Sequence, residues 1–222
     1  MPSAADRSVV GIFAKAPQLG LAKTRLIARL GEQGAATLHM RLVERTFTTV
    51  RAAQVGHIEL WCSPSAEHEF FVSLACGTGC VLRRQCDADL GTRMSEALRA
   101  MLGDMQHAII VGTDCPTLAA EDLRRAQRSL AEGWDVVLGP AEDGGYYLIG
   151  LRRPEPRLFE GIEWGSERVL EQTRARLRAL RLRWQETALR WDIDRPADLD
   201  RVRADSTLEG LLAGLAPGIE GA

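Results

Sequence analysis

The sequence predicts an α/β fold, with a mostly parallel sheet covered by helices on both faces. Three observations lead there. Short, continuous, β-branched apolar runs recur, such as residues 9–14 and 108–111, and such runs form strands buried on both faces. Between them lie stretches with apolar residues at three- and four-residue steps, such as Met94, Leu98, Met101 and Leu102, the signature of amphipathic helices. Strands and helices then alternate nearly throughout, and that order specifies a parallel sheet.

Taken in order, Val9 to Ala14 is the first strand and is followed by a loop from Lys15 to Leu21. A helix over 22–30 carries Leu26, Ile27 and Leu30 on one side, and Gly31 ends it. A second helix over 34–53 presents Leu38, Leu42, Val43, Phe47 and Val50. A strand at 57–62, a helix at 67–74, an edge strand at 81–85 and a helix at 93–105 follow. After the strand at 108–111 come a helix over 119–132 and strands at 134–138 and 146–151. Ser166 caps a helix to Leu180, 182–186 is a late strand, and Pro196 suits the first turn of a last helix. No repeat or linker interrupts the 222 residues, which read as one domain with frayed tails at 1–8 and 214–222.

Bulk properties narrow the function. Lys and Arg number 28 against 30 Asp and Glu, a net charge of −2, so no global field favours nucleic acid or a membrane surface. The arginines from Arg174 to Arg183 have no aromatic stripe beside them and read as a solvated helix face. No apolar run is long enough to span a bilayer. Five scattered cysteines, without a CxxC pair, fit ordinary thiols in a reducing, cytoplasmic compartment. Oligomeric state is not legible.

In a parallel sheet, ligands bind beyond the carboxyl ends of the strands, so the loops there carry the candidate chemistry. The first loop brings Lys15, Lys23 and Arg25 to one strand-to-helix turn, with Thr24 between them. Cations beside unsatisfied helix amides favour a phosphate, although the spacing is not that of a Walker A loop. Asp114 follows a buried strand and would suit Mg²⁺ or Mn²⁺ beside a phosphate; equally, it could close the turn before Pro116. Glu142 and Asp143 stand before Gly144 and Gly145, which is either a close approach to a ligand or a hairpin turn. Asp192 and Asp194 share a side if extended, and one of them could meet Asp114 across a metal, while Asp194 could cap the last helix instead. Asp89 to Met94, with Gly91 and Arg93, either contacts a base or ribose or forms a helix-opening turn.

Together, the stretches FAKAPQLGLAKTRL, LGTRMSEAL, VGTDCPTL, GPAEDGGYYLIGL and WDIDRPADL resemble a bacterial family of GT-A-type glycosyltransferases, some of them linked to arsenosugar biosynthesis. More distantly, the layout is similar to molybdenum-cofactor and phospholactate guanylyltransferases. The resemblance implies a three-layer α/β/α fold of the nucleotide-diphospho-sugar transferase (GT-A) type. It also implies phosphate binding by Lys15, Lys23 and Arg25, with Thr24, Gly91 and Arg93 beside the nucleotide. Asp114 and Asp194 would hold Mg²⁺ or Mn²⁺, and Asp143 or Glu142 would act on the acceptor. The implied ligands are a nucleotide or nucleotide sugar and a small acceptor. Nucleotidyltransferases carry a glycine-rich first loop, whereas this one has Gly20 alone. Glycosyl transfer from a nucleotide-diphospho-sugar is therefore the expected activity. Nucleotidyl transfer with pyrophosphate release and a non-catalytic nucleotide- or sugar-binding module are the alternatives.

Overall fold

The computed structural model of the protein describes residues 7–215. The strands are β1 (Ser8–Lys15), β2 (His57–Ser63), β3 (Val81–Arg84), β4 (His107–Val111), β5 (Val136–Pro140), β6 (Tyr146–Leu151) and β7 (Trp184–Glu186). They form a seven-stranded sheet in the order β3-β2-β1-β4-β6-β5-β7. β6 runs antiparallel to both neighbours, and the other pairs are parallel. The sheet is thus mixed and mostly parallel, with helices on both faces as predicted. The reversal at β6 follows from the short turn over 141–145, which is too short for a crossover helix.

The α-helices are α1 (Ile27–Ala53), α2 (Glu69–Ala75), α3 (Leu90–Asp104), α4 (Ala120–Ala131), α5 (Val169–Ala179), α6 (Asp198–Ala204) and α7 (Glu209–Leu212). One face of the sheet, with Val10, Ile12, Leu60, Ile109 and Leu148, packs on Val43, Phe47 and Val50 of α1 and on Leu123 and Leu130 of α4. The other, with Val9, Ile110, Leu138 and Ile149, packs on Met94, Leu98 and Met101 of α3 and on Leu170 and Leu177 of α5. Alternation along each strand sends successive residues to opposite faces, so strands that are apolar throughout are covered on both.

A third apolar cluster joins the beginning of the chain to its end. Leu26, Leu30, Leu38 and Leu42 meet Ile193, Leu199, Val202, Leu208 and Leu211. Ile193 is fully buried there, which turns the residues on either side of it toward the sheet's carboxyl edge.

Several expected boundaries shift for physical reasons. The two helices expected around Gly31 form one element with a break at that residue, whose φ of 69° and ψ of 169° are not helical. The first of them starts late, as a single 3-10 turn over Thr24–Leu26. Ser166 does not cap α5; its hydroxyl accepts from the Arg168 amide instead. The Leu170 amide is satisfied by the Gly144 carbonyl at 2.8 Å, so α5 is capped by the turn after β5. The helix expected last opens at Asp198 rather than near Pro196, where the Asp198 carboxylate accepts from the amides of Asp194 and Arg195, and the short α7 follows it. The expected tail over 1–8 is shorter: Ser8 is buried in β1 and bonded to His107. At the other end, Leu215 packs on the third cluster. The remainder of both expected tails lies outside the described residues.

Ile193→Ala should lower the unfolding free energy by about 2–5 kcal/mol, the range for emptying a buried aliphatic site. Urea denaturation measures it, and a loss below about 0.5 kcal/mol would show that the third cluster is not a packed core.

Candidate functional site

The loops after β1 and β4, the start of β6 and the segment 191–194 open onto one cleft of about 580 Å³ at the sheet's carboxyl edge. Lys15, Lys23, Thr24, Arg25, Arg93, Asp114 and Asp194 all line it. The cations from the start of the chain therefore face acids from its middle and end.

Lys23 is the hinge of this arrangement. Its backbone is left-handed, with φ 48° and ψ 45°, an uncommon conformation for a residue with a Cβ. That geometry turns the chain without a glycine and drives the side chain inward, where it is only 4% exposed. The ammonium lies 2.7 Å from Asp114 Oδ1 and also donates to the Ile193 carbonyl. The Ile193 amide donates to the Asp114 carbonyl at 2.9 Å. Three distant segments are thus tied at one point. Asp114 keeps a half-open carboxylate, 51% exposed. Desolvation is the largest influence on it and acts upward, but the charge and hydrogen bond of Lys23 outweigh it and hold the carboxyl below its usual range.

Asp194, expected as the second metal ligand, pairs with Arg25. Asp192 is the acid placed against Asp114. Burial and then the negative charges of Asp114 and Asp143 push its carboxyl up to about 7, against the opposing charge of Lys23. Its Oδ1 is buried and has no hydrogen-bond partner among the described residues. Two adjacent carboxylates, one with an unsatisfied oxygen, present the donor set that a divalent cation takes together with phosphate oxygens. No cluster of three or more His, Cys, Asp or Glu suited to a metal occurs among the described residues. The sequence signal for Asp192 was its two-residue spacing from Asp194, which left open which acid would be the inner one.

Arg93 is fixed from behind by Gln85, whose Oε1 accepts from Arg93 Nη1 at 3.0 Å while its amide nitrogen donates to the Trp61 carbonyl. His39 also lines the cleft and was not singled out from sequence. Its Nε2 lies 2.8 Å from the Lys15 carbonyl. A carbonyl can only accept, so Nε2 carries the proton. Burial is the main cause lowering the imidazole's pKa, which keeps it neutral and pins the end of β1. The available clue was a histidine on the apolar face of a helix, between Leu38 and Leu42.

Three expected site residues stand outside the cleft. Glu142 is engaged by both terminal nitrogens of Arg201, at 2.7 and 3.1 Å, and Arg201 in turn lies over the Trp191 ring. Asp143 accepts from the Gly145 amide at 2.8 Å and shapes the turn. Gly91 is a packing glycine: a Cβ there would come within 2.5 Å of Trp164 Nε1. Asp89, just before it, caps α3 through the Thr92 amide and hydroxyl.

Residues 46–166 match the protein family described as "Uncharacterized protein conserved in bacteria" (DUF2064). The chain belongs to this family. It is 29% identical over 190 residues to a phosphoenolpyruvate guanylyltransferase of Sphaerobacter thermophilus, covering 83% of this chain and 88% of that protein. A crystal structure from Desulfovibrio desulfuricans G20, described as a nucleotide-diphospho-sugar transferase, superposes with a TM-score of 0.84 at 30% identity, covering 93% and 94% of the two chains. The fold alone is shared with CMP:2-keto-3-deoxy-manno-octonic acid synthetase complexed with CTP, at a TM-score of 0.57 and 15% identity over 92% and 100% of the chains. The expected nucleotide-diphospho-sugar transferase fold is thus established. The glycosyltransferase kinship is met only in part, since a guanylyltransferase also stands among these relatives. No helix among the described residues is long and apolar enough to cross a membrane.

With Lys23 the counter-ion of Asp114, Lys23→Met should move the Asp114 carboxyl upward in an NMR titration, because desolvation is then the largest influence left on it. An unmoved Asp114 in a folded variant would assign its low value to some other group.

Proposed function

We propose that this protein is a nucleotidyltransferase: an oxygen of a small phosphorylated acceptor attacks the α-phosphorus of a nucleoside triphosphate and pyrophosphate leaves. The observation that carries the reading is the cleft itself, a cationic rim around the Lys23–Asp114 pair with the unsatisfied Asp192 oxygen beside it. Phosphoryl transfer asks a protein chiefly for positioning and charge stabilisation, and those are the elements assembled here. The relative from S. thermophilus supports the same reaction class and makes GTP the first nucleotide to try.

In this mechanism Lys15, Arg25 and Arg93 grip phosphate oxygens. Arg25 and Arg93 do so through planar forks. Arg25 meets the ligand as a neutralised pair with Asp194 until phosphate competes for it. Lys23 keeps Asp114 ionised and its loop in place. Asp114 and Asp192 would hold Mg²⁺ or Mn²⁺, which supplies charge neutralisation between the transferred phosphoryl group and pyrophosphate. His39 and Gln85 maintain the two walls. The free thiols of Cys62, Cys76, Cys80, Cys86 and Cys115 suit a cytoplasmic setting.

Glycosyl transfer is the second reading, favoured by the relative from D. desulfuricans. It placed acceptor activation on Asp143 or Glu142, and both lie off the cleft in turn-forming and ion-pair roles.

The test is a screen of nucleoside triphosphates against phosphorylated small acids, with Mg²⁺ or Mn²⁺, read as pyrophosphate release. Release should depend on the divalent ion and fall at least about a hundredfold in Asp114→Asn, and Arg25→Ala should raise KM about tenfold through a lost charge-assisted contact. Asp143→Asn should keep release within about threefold, since a general base would contribute at least about a hundredfold. Turnover of nucleotide sugars without pyrophosphate release would replace this reading with glycosyl transfer.

A further inference from the structure

A second cavity, of about 500 Å³, lies on the other side of the first turn of α3. Leu90 and Arg93 face the phosphate cleft, while Gly91 lines the second cavity. Across from it stand Phe159 and Trp164, stacked with centroids 6.4 Å apart and planes 27° from parallel. The indole is seated there because Gly91 has no Cβ to meet it. Tyr146, on the cleft wall, meets the same indole edge-on at 6.4 Å. The two cavities therefore share a partition.

Their chemistries differ. In the cleft Lys15, Lys23, Arg25 and Arg93 stand among Asp114, Asp192 and Asp194. No lysine or arginine among the described residues lines the second cavity, whose charged groups are Asp89, Glu96 and Glu160. Phosphate is therefore disfavoured. Attraction for a cation is weakened in part, because Glu96 is paired with Arg99, while the Thr92 amide and hydroxyl hold the Asp89 carboxylate in place. What remains is a set of hydrogen-bond acceptors beside an aromatic wall. A ligand matching both has hydroxyl donors around its edge and C–H faces for the rings.

We infer that the cavity between α3 and Trp164 binds a neutral polyhydroxylated group, a sugar or sugar alcohol, with its C–H face on Trp164 and its hydroxyls donating to Asp89, Glu96 and Glu160. The site stands on its own chemistry and does not depend on which transfer the cleft performs.

Saturation-transfer NMR on the full chain tests this with glucose, mannose and sorbitol as probes, and glucosamine as the cationic control. Transfer to at least one neutral probe is expected in the wild type and in Arg25→Ala, which impairs the phosphate cleft. Trp164→Ala should reduce it about tenfold, as for loss of a buried aromatic anchor. Because that variant also removes packing against Gly91, Glu160→Gln is the second probe: it alters an exposed acceptor without emptying the core and should weaken transfer several-fold, about a hydrogen bond's worth. No transfer from any neutral probe, transfer from glucosamine alone, or signals unchanged in both variants would overturn the assignment.

Discussion

The Lys23–Asp114 ion pair is the constraint around which the candidate site is organised. A buried ammonium is costly unless its donors are met, and here a carboxylate and the Ile193 carbonyl meet them. The partners come from three distant parts of the sequence, so the requirement to satisfy one charge fixes their mutual position. The left-handed backbone at Lys23 belongs to the same constraint. About 1–3 kcal/mol of local strain persists because the side chain it aims inward is held at its far end.

Around that point the site divides into parts that bind and parts that brace. Lys15, Arg25 and Arg93 reach the cleft with donors to offer. His39 and Gln85 hold backbone and guanidinium from behind. Arg190 serves the acid-bearing segment in the same way: its guanidinium pairs with the buried Asp122 of α4, with contacts of 3.1 Å, which anchors the chain two residues before Asp192. On the other side of Trp191, the Arg201–Glu142 pair closes over the indole. Such bracing lets Asp192 remain beside another carboxylate despite their mutual repulsion.

Most of the architecture was legible in the sequence. Continuous apolar runs and three- to four-residue periodicities are direct consequences of two-sided burial, so the strands and main helices fall where expected. What escaped were features decided by contacts between distant residues. Nothing local says that Ser166 loses its helix to the Gly144 carbonyl, or that Asp198 rather than Asp194 ties the last helix. The same limit applies to the site. Charge type and strand-to-helix position brought Lys15, Lys23, Arg25 and Asp114 to the cleft. Asp192 and Asp194 differ because Arg25 pairs with Asp194 and leaves Asp192 with a buried, unpartnered oxygen, which no spacing reveals. Glu142 and Asp143 looked chemical because acids beside glycines look alike whether they shape a turn or meet a ligand.

The clasp between the two chain ends has a consequence for biosynthesis. The contact that secures Lys23 is made with a residue 170 positions later, so the loop after β1 is translated long before its anchor exists. Contacts of such separation form late in folding because the intervening chain must be ordered first. A nascent polypeptide still on the ribosome can build much of the sheet while this cleft stays incomplete. The cleft closes as a final docking step, when the last short helices pack on α1.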